Sequence, residues 1–124
     1  MKELIQYIIN QGHKDIAFIH GTKSSVTHNR LVSFYNVMKD NNLEVNEDYI
    51  LEGEYRSVST AERITEQLLD MKKRPTCIIA PDDYSALGVM NVASRRGLKV
   101  PDDLSVAGFD GIPFTKVLEP KLTT

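Results

Sequence analysis

The chain has 124 residues, enough for one hydrophobic core and too few for two. Its 15 basic and 17 acidic side chains are mixed along the length for a net charge of −2, and Lys72-Lys73-Arg74 is the longest basic run, so the concentrated positive face needed to grip nucleic acid is missing. No stretch approaches the roughly 20 apolar residues of a membrane span, Met1-Lys2-Glu3 does not open a signal peptide, and the lone Cys77 forms no internal disulfide, so a reducing, cytoplasmic setting is expected.

Leu4, Ile5, Ile8 and Ile9 recur at helical spacing before Gly12, which suits the end of a first helix. Residues 16–20, IAFIH, are short and apolar, as a strand is. A second helical pattern carries Leu31, Phe34, Tyr35 and Met38 and runs to Asn41 and Asn42. Residues 49–51 form a weaker strand. In SVSTAERITEQLLDM, Ser57 or Ser59 caps a third helix; Ser59 with Glu62 has capping-box spacing, and Ala61, Ile64, Leu68 and Met71 form the buried stripe. Pro75 closes that helix from outside and residues 76–80 are the third strand. A fourth helix over 84–96 ends at Gly97, and 104–109 is the fourth strand.

Short apolar strands alternating with longer helices predict an α/β fold with a parallel sheet covered on both sides, a three-layer αβα sandwich. Ligands of such sheets sit beyond the carboxyl ends of the strands. The segments to question are therefore 20–25, 53–57, 81–84 and 110–114.

Gly21-Thr22-Lys23-Ser24 ends like a phosphate loop, but Thr22 stands where the glycine before the lysine must be, so a polar strand-to-helix loop fits better. Arg30, about one turn into the next helix, either offers a bidentate fork to a ligand or is a solvated surface arginine. Tyr55 either supplies a flat wall to a sugar or a base or packs on the rim with its hydroxyl in water. His13, His20 and His28 lack the spacing of a zinc site, and no metal or other cofactor is expected.

Asp82 and Asp83 are adjacent, so they point different ways and do not share a proton as a catalytic dyad must. One can cap the fourth helix while the other faces the cleft. With Asp110 they also fit the acidic pocket of a phosphoryl-receiving or magnesium-binding domain. Against that, the first strand ends in His20-Gly21, and no lysine closes the fourth strand. Ser24, Ser25 and Ser57 lack a nucleophile elbow. Enzyme activity is not expected.

Taken in order, GHKDIAFIHG (12–21), RLVSF (30–34), Gly53-x-Tyr55, PTCIIAPDDYSALGVM (75–90), GLKVPDDLSVAGFDGIPF (97–114) and the closing PKLTT resemble the lactose/galactose repressor (LacI/GalR) family of bacterial transcriptional regulators. The likeness covers essentially the whole chain and implies the C-terminal lobe of an effector-binding core, a type I periplasmic-binding-protein-like lobe. In that family two lobes close on a small molecule, and a helix-turn-helix head binds operator DNA. The resemblance implies that residues 1–124 are a single partial domain, with head and partner lobe absent.

It also assigns roles. Arg30, Tyr55 and Asp83 fall on the family's ligand-contacting positions, with Ser24 and Asp110 at the cleft or hinge edge. Asp82 stands where the family usually has asparagine, Gly111 replaces the second aspartate of GFDD, and Ser33 stands where glycine is frequent. The implied partners are a small-molecule effector (a sugar, a sugar phosphate or a purine), operator DNA through the absent head, and a second copy of the chain. Met71, Leu87, Val89 and Met90 either contribute to the dimer contact or merely face the sheet. The competing expectations are a sugar-binding lobe of a transport receptor and an α/β enzyme or phosphoacceptor using Asp82, Asp83 and Asp110.

Overall fold

The structure is a computed structural model that describes residues 2–108. Helix α1 (Lys2–Asn10) buries Ile5 and Ile8 and is followed by Gly12 at φ +102°, a left-handed turn that glycine adopts without a Cβ penalty. Strand β1 (Ile16–His20) leads through residues 21–24 into α2 (Ser25–Asp40), and Ser24 caps α2 by accepting from Thr27 N–H. A short 3-10 turn (Glu47–Tyr49) precedes β2 (Ile50–Glu52). Next come α3 (Val58–Leu69), β3 (Cys77–Ile79), α4 (Asp83–Arg95) and β4 (Ser105–Ala107).

All strand pairs are parallel, in the spatial order β2-β1-β3-β4. Side chains alternate across a strand, and that alternation sorts the core into two halves. Ile16 and Phe18 of β1, Cys77 and Ile79 of β3 and Ala107 of β4 pack with Ile5 and Ile8 of α1 and Phe34, Val37 and Met38 of α2. Ala17, Ile19, Ile78, Ala80 and Val106 pack instead with Ile64, Leu68, Val89 and Val92 of α3 and α4. The result is the expected three-layer αβα sandwich. Each fully buried isoleucine or phenylalanine contributes about 1.5–3 kcal/mol, so both sheet faces need their helices.

Helices α3 and α4 meet at Gly88, where a Cβ would lie 2.5 Å from the Val58 carbonyl oxygen and 3.0 Å from Ala61 Cβ. Outside that contact, Arg96 Nε donates to Glu66 (2.7 Å) and Arg96 Nη2 to Asp70 (2.7 Å), tying the end of α4 to α3. Among the described residues no helix is long and apolar enough to cross a membrane.

Several local expectations change. Ser57, not Ser59, caps α3, accepting from Thr60 N–H at 3.2 Å. Glu62 makes no capping box because its carboxylate is drawn to α4, where it accepts from Asn91 Nδ2 (3.1 Å) and lies 3.6 Å from Arg95. Strand β2 begins one residue later than expected: Tyr49 closes the 3-10 turn and sends its buried ring under the sheet edge, donating to Lys73 carbonyl at 2.8 Å. Helix α4 begins one residue early, at Asp83, because Asp82 takes the cap.

Val89 is fully buried in the core under α3 and presents no surface to a partner, which corrects its expected place at a dimer contact. Met71 and Met90 pack against the same core while remaining half-buried, and Leu87 is half-buried on α4. Asp110, and the end of the expected fourth strand, lie outside the described residues.

Candidate functional site

In the order β2-β1-β3-β4 the chain moves outward from β1 to β2 and then returns to the other side of β1 for β3. The loops leaving β1 and β3 therefore part in opposite directions, and a crevice opens above their carboxyl ends; open parallel sheets bind ligands at this switch point. The loop after β1 and the loop after β3 flank it directly. The loop after β2 reaches it from the side.

Arg30 on α2 spans the crevice, donating from Nη1 to the Pro81 carbonyl after β3 at 3.0 Å. Its head is thus bonded to protein rather than left wholly to water. The guanidinium is half-buried and held beside the segment that carries Asp82 and Asp83.

The aspartates divide the two roles expected of an adjacent pair. Asp82 Oδ1 accepts from Ser85 N–H at 2.8 Å, capping α4, while Oδ2 accepts from Arg56 N–H in the loop after β2. Arg56 sits at φ +56°, a conformation uncommon for a residue with a Cβ, and the Asp82 carboxylate helps hold it there. The departure from asparagine at Asp82 has a physical counterpart, because the second position of an amide is a donor and cannot take an N–H. Asp83 occupies the first position of α4, is fully buried, and has Oδ1 2.8 Å from where a Cβ on Gly108 would stand. Gly108 follows β4, so Asp83 links the third and fourth strand ends.

Tyr55 closes the near side. Its ring lies on Gly21, so close that a Cβ there would enter the ring, and its hydroxyl meets Thr27 Oγ1 at 2.6 Å. Its hydroxyl is therefore bonded to protein, while the residue as a whole remains half-buried. Ser24 is the exposed cap of α2 and lines a pocket of about 490 Å³ with His20, Lys23, Thr27, His28 and Glu52, beside the Tyr55 wall.

Thr27 is the buried polar residue at this crevice that sequence reasoning missed. It is 4% exposed and touches Thr22, Ser24 and Tyr55. The available signal was its position three residues after the capping Ser24, which turns its side chain back over the β1 loop.

His13 and Cys77 lie apart from this crevice. His13 sits at the opposite end of the sheet, between Thr76 Oγ1 (2.8 Å) and Ser105 Oγ (3.0 Å), and burial lowers its pKa from the usual 6.5. Cys77 is buried, and desolvation pushes its thiol up to about 12. Among the described residues no group of three His, Cys, Asp or Glu side chains is arranged to hold a metal. Asp82 is committed to its two backbone donors.

The profile of the periplasmic binding protein-like domain family matches residues 5–124. The chain belongs to that family. Among curated members similar to this periplasmic binding protein-like domain are the HTH-type transcriptional repressor PurR of Vibrio campbellii, 39% identical over 120 residues, and the Catabolite control protein A of Priestia megaterium, 38% identical over 124 residues. These alignments cover 96% and 98% of this chain but 36% and 37% of the relatives, so the chain spans little more than a third of their length.

Solved structures agree. A LacI-family regulatory protein from Chloroflexus aggregans superposes with a TM-score of 0.92 at 34% identity, covering 98% of this chain and 44% of that one. A sugar-binding LacI-family transcriptional regulator from Escherichia coli, complexed with phosphate, gives 0.91 at 29% identity, again over 98% and 44%. The relatives are thus LacI-family regulators of transcription rather than enzymes, as the ordered motifs implied.

Proposed function

We propose that this chain is one wall of the effector cleft of a transcriptional repressor, contributing Arg30, Tyr55 and Asp83 to a small-molecule site and performing no chemistry. The observation that carries the reading is the convergence of three loops above the β1/β3 switch point, joined by the Arg30 to Pro81 hydrogen bond. Arg30 brings hydrogen-bond donors and Tyr55 a flat apolar face, a set suited to a polar ring such as a sugar or a purine, and Asp83, fully buried beside Gly108, adds its carboxylate only in a ligand-bound form that uncovers it. The sugar-binding relative favours the first of these two ligand classes.

In the parent protein a second lobe covers the ligand, and a separate head binds operator DNA inside the cell. The ligand acts by differential affinity for two arrangements of the lobes, because a ligand that binds both equally shifts nothing. Self-association uses the exposed side of α3 and α4 around Met71, Leu87 and Met90, in a two-fold pair. Sedimentation of the chain against Leu87→Glu tests that contact.

The site is tested by ligand-observed NMR with glucose, hypoxanthine and inorganic phosphate as probes. Binding of one probe that disappears in both Arg30→Ala and Asp83→Asn is the expected result. Binding that survives both substitutions would move the site elsewhere.

A further inference from the structure

Resting on the effector reading above, we infer that Tyr55 meets the ligand only as a hydrogen-bond acceptor, because Thr27 holds its one phenolic proton. Thr27 Oγ1 has a single hydrogen and lies close to three oxygens: the Thr22 carbonyl at 2.7 Å, Ser24 Oγ at 3.1 Å and Tyr55 Oη at 2.6 Å. A carbonyl oxygen only accepts, so the Thr27 hydrogen must go to Thr22. Turned toward Tyr55 instead, it would leave two oxygens facing each other at 2.7 Å with no proton between them.

The other two partners must then donate. Ser24 Oγ is free to do so, since its lone pair already accepts from Thr27 N–H at 3.1 Å and its own hydrogen is unspent by that bond. Tyr55 Oη likewise donates to Thr27. Thr27 Oγ1 is thereby saturated, with one bond donated and two accepted.

Two further features keep this arrangement in place. The Tyr55 ring rests on Gly21, where any Cβ would displace it, and Thr27 is 4% exposed, so water does not readily exchange for its partners. A tyrosine in water swaps donor and acceptor roles freely; this one does not. The phenolic oxygen has only lone pairs left for a ligand.

The consequence is a selection among ligand classes. A sugar hydroxyl or a purine N–H complements an acceptor, whereas an ionised phosphate or carboxylate oxygen placed against Tyr55 puts lone pair against lone pair. The ligand therefore turns a neutral hydroxyl or N–H toward Tyr55, and any phosphate it carries lies elsewhere in the cleft. Thr27 is the positioning residue for this selectivity.

The polarity is read directly by Raman spectroscopy of the 124-residue chain. The ratio of the two tyrosine Fermi-doublet bands separates a phenol that donates from one that accepts, and the difference between wild type and Tyr55→Phe isolates Tyr55. The expected ratio is that of a strong donor, rising in Thr27→Val. An acceptor ratio in the wild type, or a ratio unmoved by Thr27→Val, overturns the inference.

A second arm uses glucose, hypoxanthine and inorganic phosphate as probes. Tyr55→Phe should weaken a bound neutral probe by about 2- to 10-fold, and Thr27→Val should shift relative affinity toward inorganic phosphate. A neutral probe lost in Arg30→Ala yet bound equally by Tyr55→Phe overturns this inference and leaves the effector reading standing. Binding that ignores Arg30→Ala overturns the effector reading instead, and the band ratio still decides the polarity.

Discussion

Arg30 on α2 and Pro81 after β3 are 51 residues apart in sequence and joined by one hydrogen bond of 3.0 Å across the crevice between β1 and β3. Replacing Arg30 with alanine removes from the carbonyl of buried Pro81 a charged, half-buried donor that keeps partial access to water. The expected loss of stability is about 1 kcal/mol, discounted for that access. A urea midpoint shifted far more than this would mean that Arg30 is chiefly structural.

Asp82 should matter more to stability than Arg30. Its buried carboxylate caps α4 through Ser85 N–H and holds the left-handed Arg56 through a second N–H. Asp82→Ala is expected to cost about 2 kcal/mol, and Asp82→Asn about half that, because asparagine keeps one acceptor and loses the other. Equal losses in the two variants, measured by chemical denaturation, would rule out a separate contribution from Arg56.

Gly88 sets the distance between α3 and α4. Alanine there places a Cβ 2.5 Å from the Val58 carbonyl oxygen, a backbone atom that moves only with its helix. Overpacking should destabilise by about 1–3 kcal/mol even though alanine favours the helix by nearly 1 kcal/mol. An unchanged or raised melting temperature would show that the two helices are not locked at this point.

His13 gives the fold a pH dependence of definite sign. Burial lowers its folded pKa below the usual 6.5, so the unfolded chain binds the proton more readily. The contribution to stability is present above the unfolded pKa and is lost as pH falls through the folded one. Stability followed by urea denaturation should decline as the pH drops below about 6.5, and His13→Gln should flatten that decline. An identical slope in the variant would assign the effect to other groups.

Cys77 is buried between α1 and the sheet with its thiol pushed up to about 12. Reaction with a disulfide reagent at neutral pH should wait for unfolding, since the thiolate is both scarce and covered. Labelling at the rate of an exposed thiol would show that the first helix detaches in the native state.

Most elements were legible because their signals are local. The period of Leu4, Ile5, Ile8 and Ile9, the apolar run IAFIH and the glycines at 12 and 97 each state a conformation within a few residues. The errors arose where a distant partner competed. Glu62 has the spacing of a capping box with Ser59 but turns to Asn91 and Arg95 on α4, and Tyr49 is strand-like by type but closes a 3-10 turn because its hydroxyl finds Lys73. Val89 could not be told from its half-buried neighbours by pattern alone, since the tight approach at Gly88 brings α3 over that face.

The sequence by itself determined the alternation of strands and helices, the segments that follow the carboxyl ends of the strands, and the family whose ordered motifs Arg30, Tyr55 and Asp83 belong to. Only the tertiary structure decided what those residues touch: Arg30 the Pro81 carbonyl, Tyr55 the bare face of Gly21 and the hydroxyl of Thr27, Asp82 the amide of Arg56. Helix and strand preferences act over a few residues and survive in the order of the letters. A hydrogen bond's direction depends on every oxygen and nitrogen within reach, and the sheet brings those together from loops far apart in the chain.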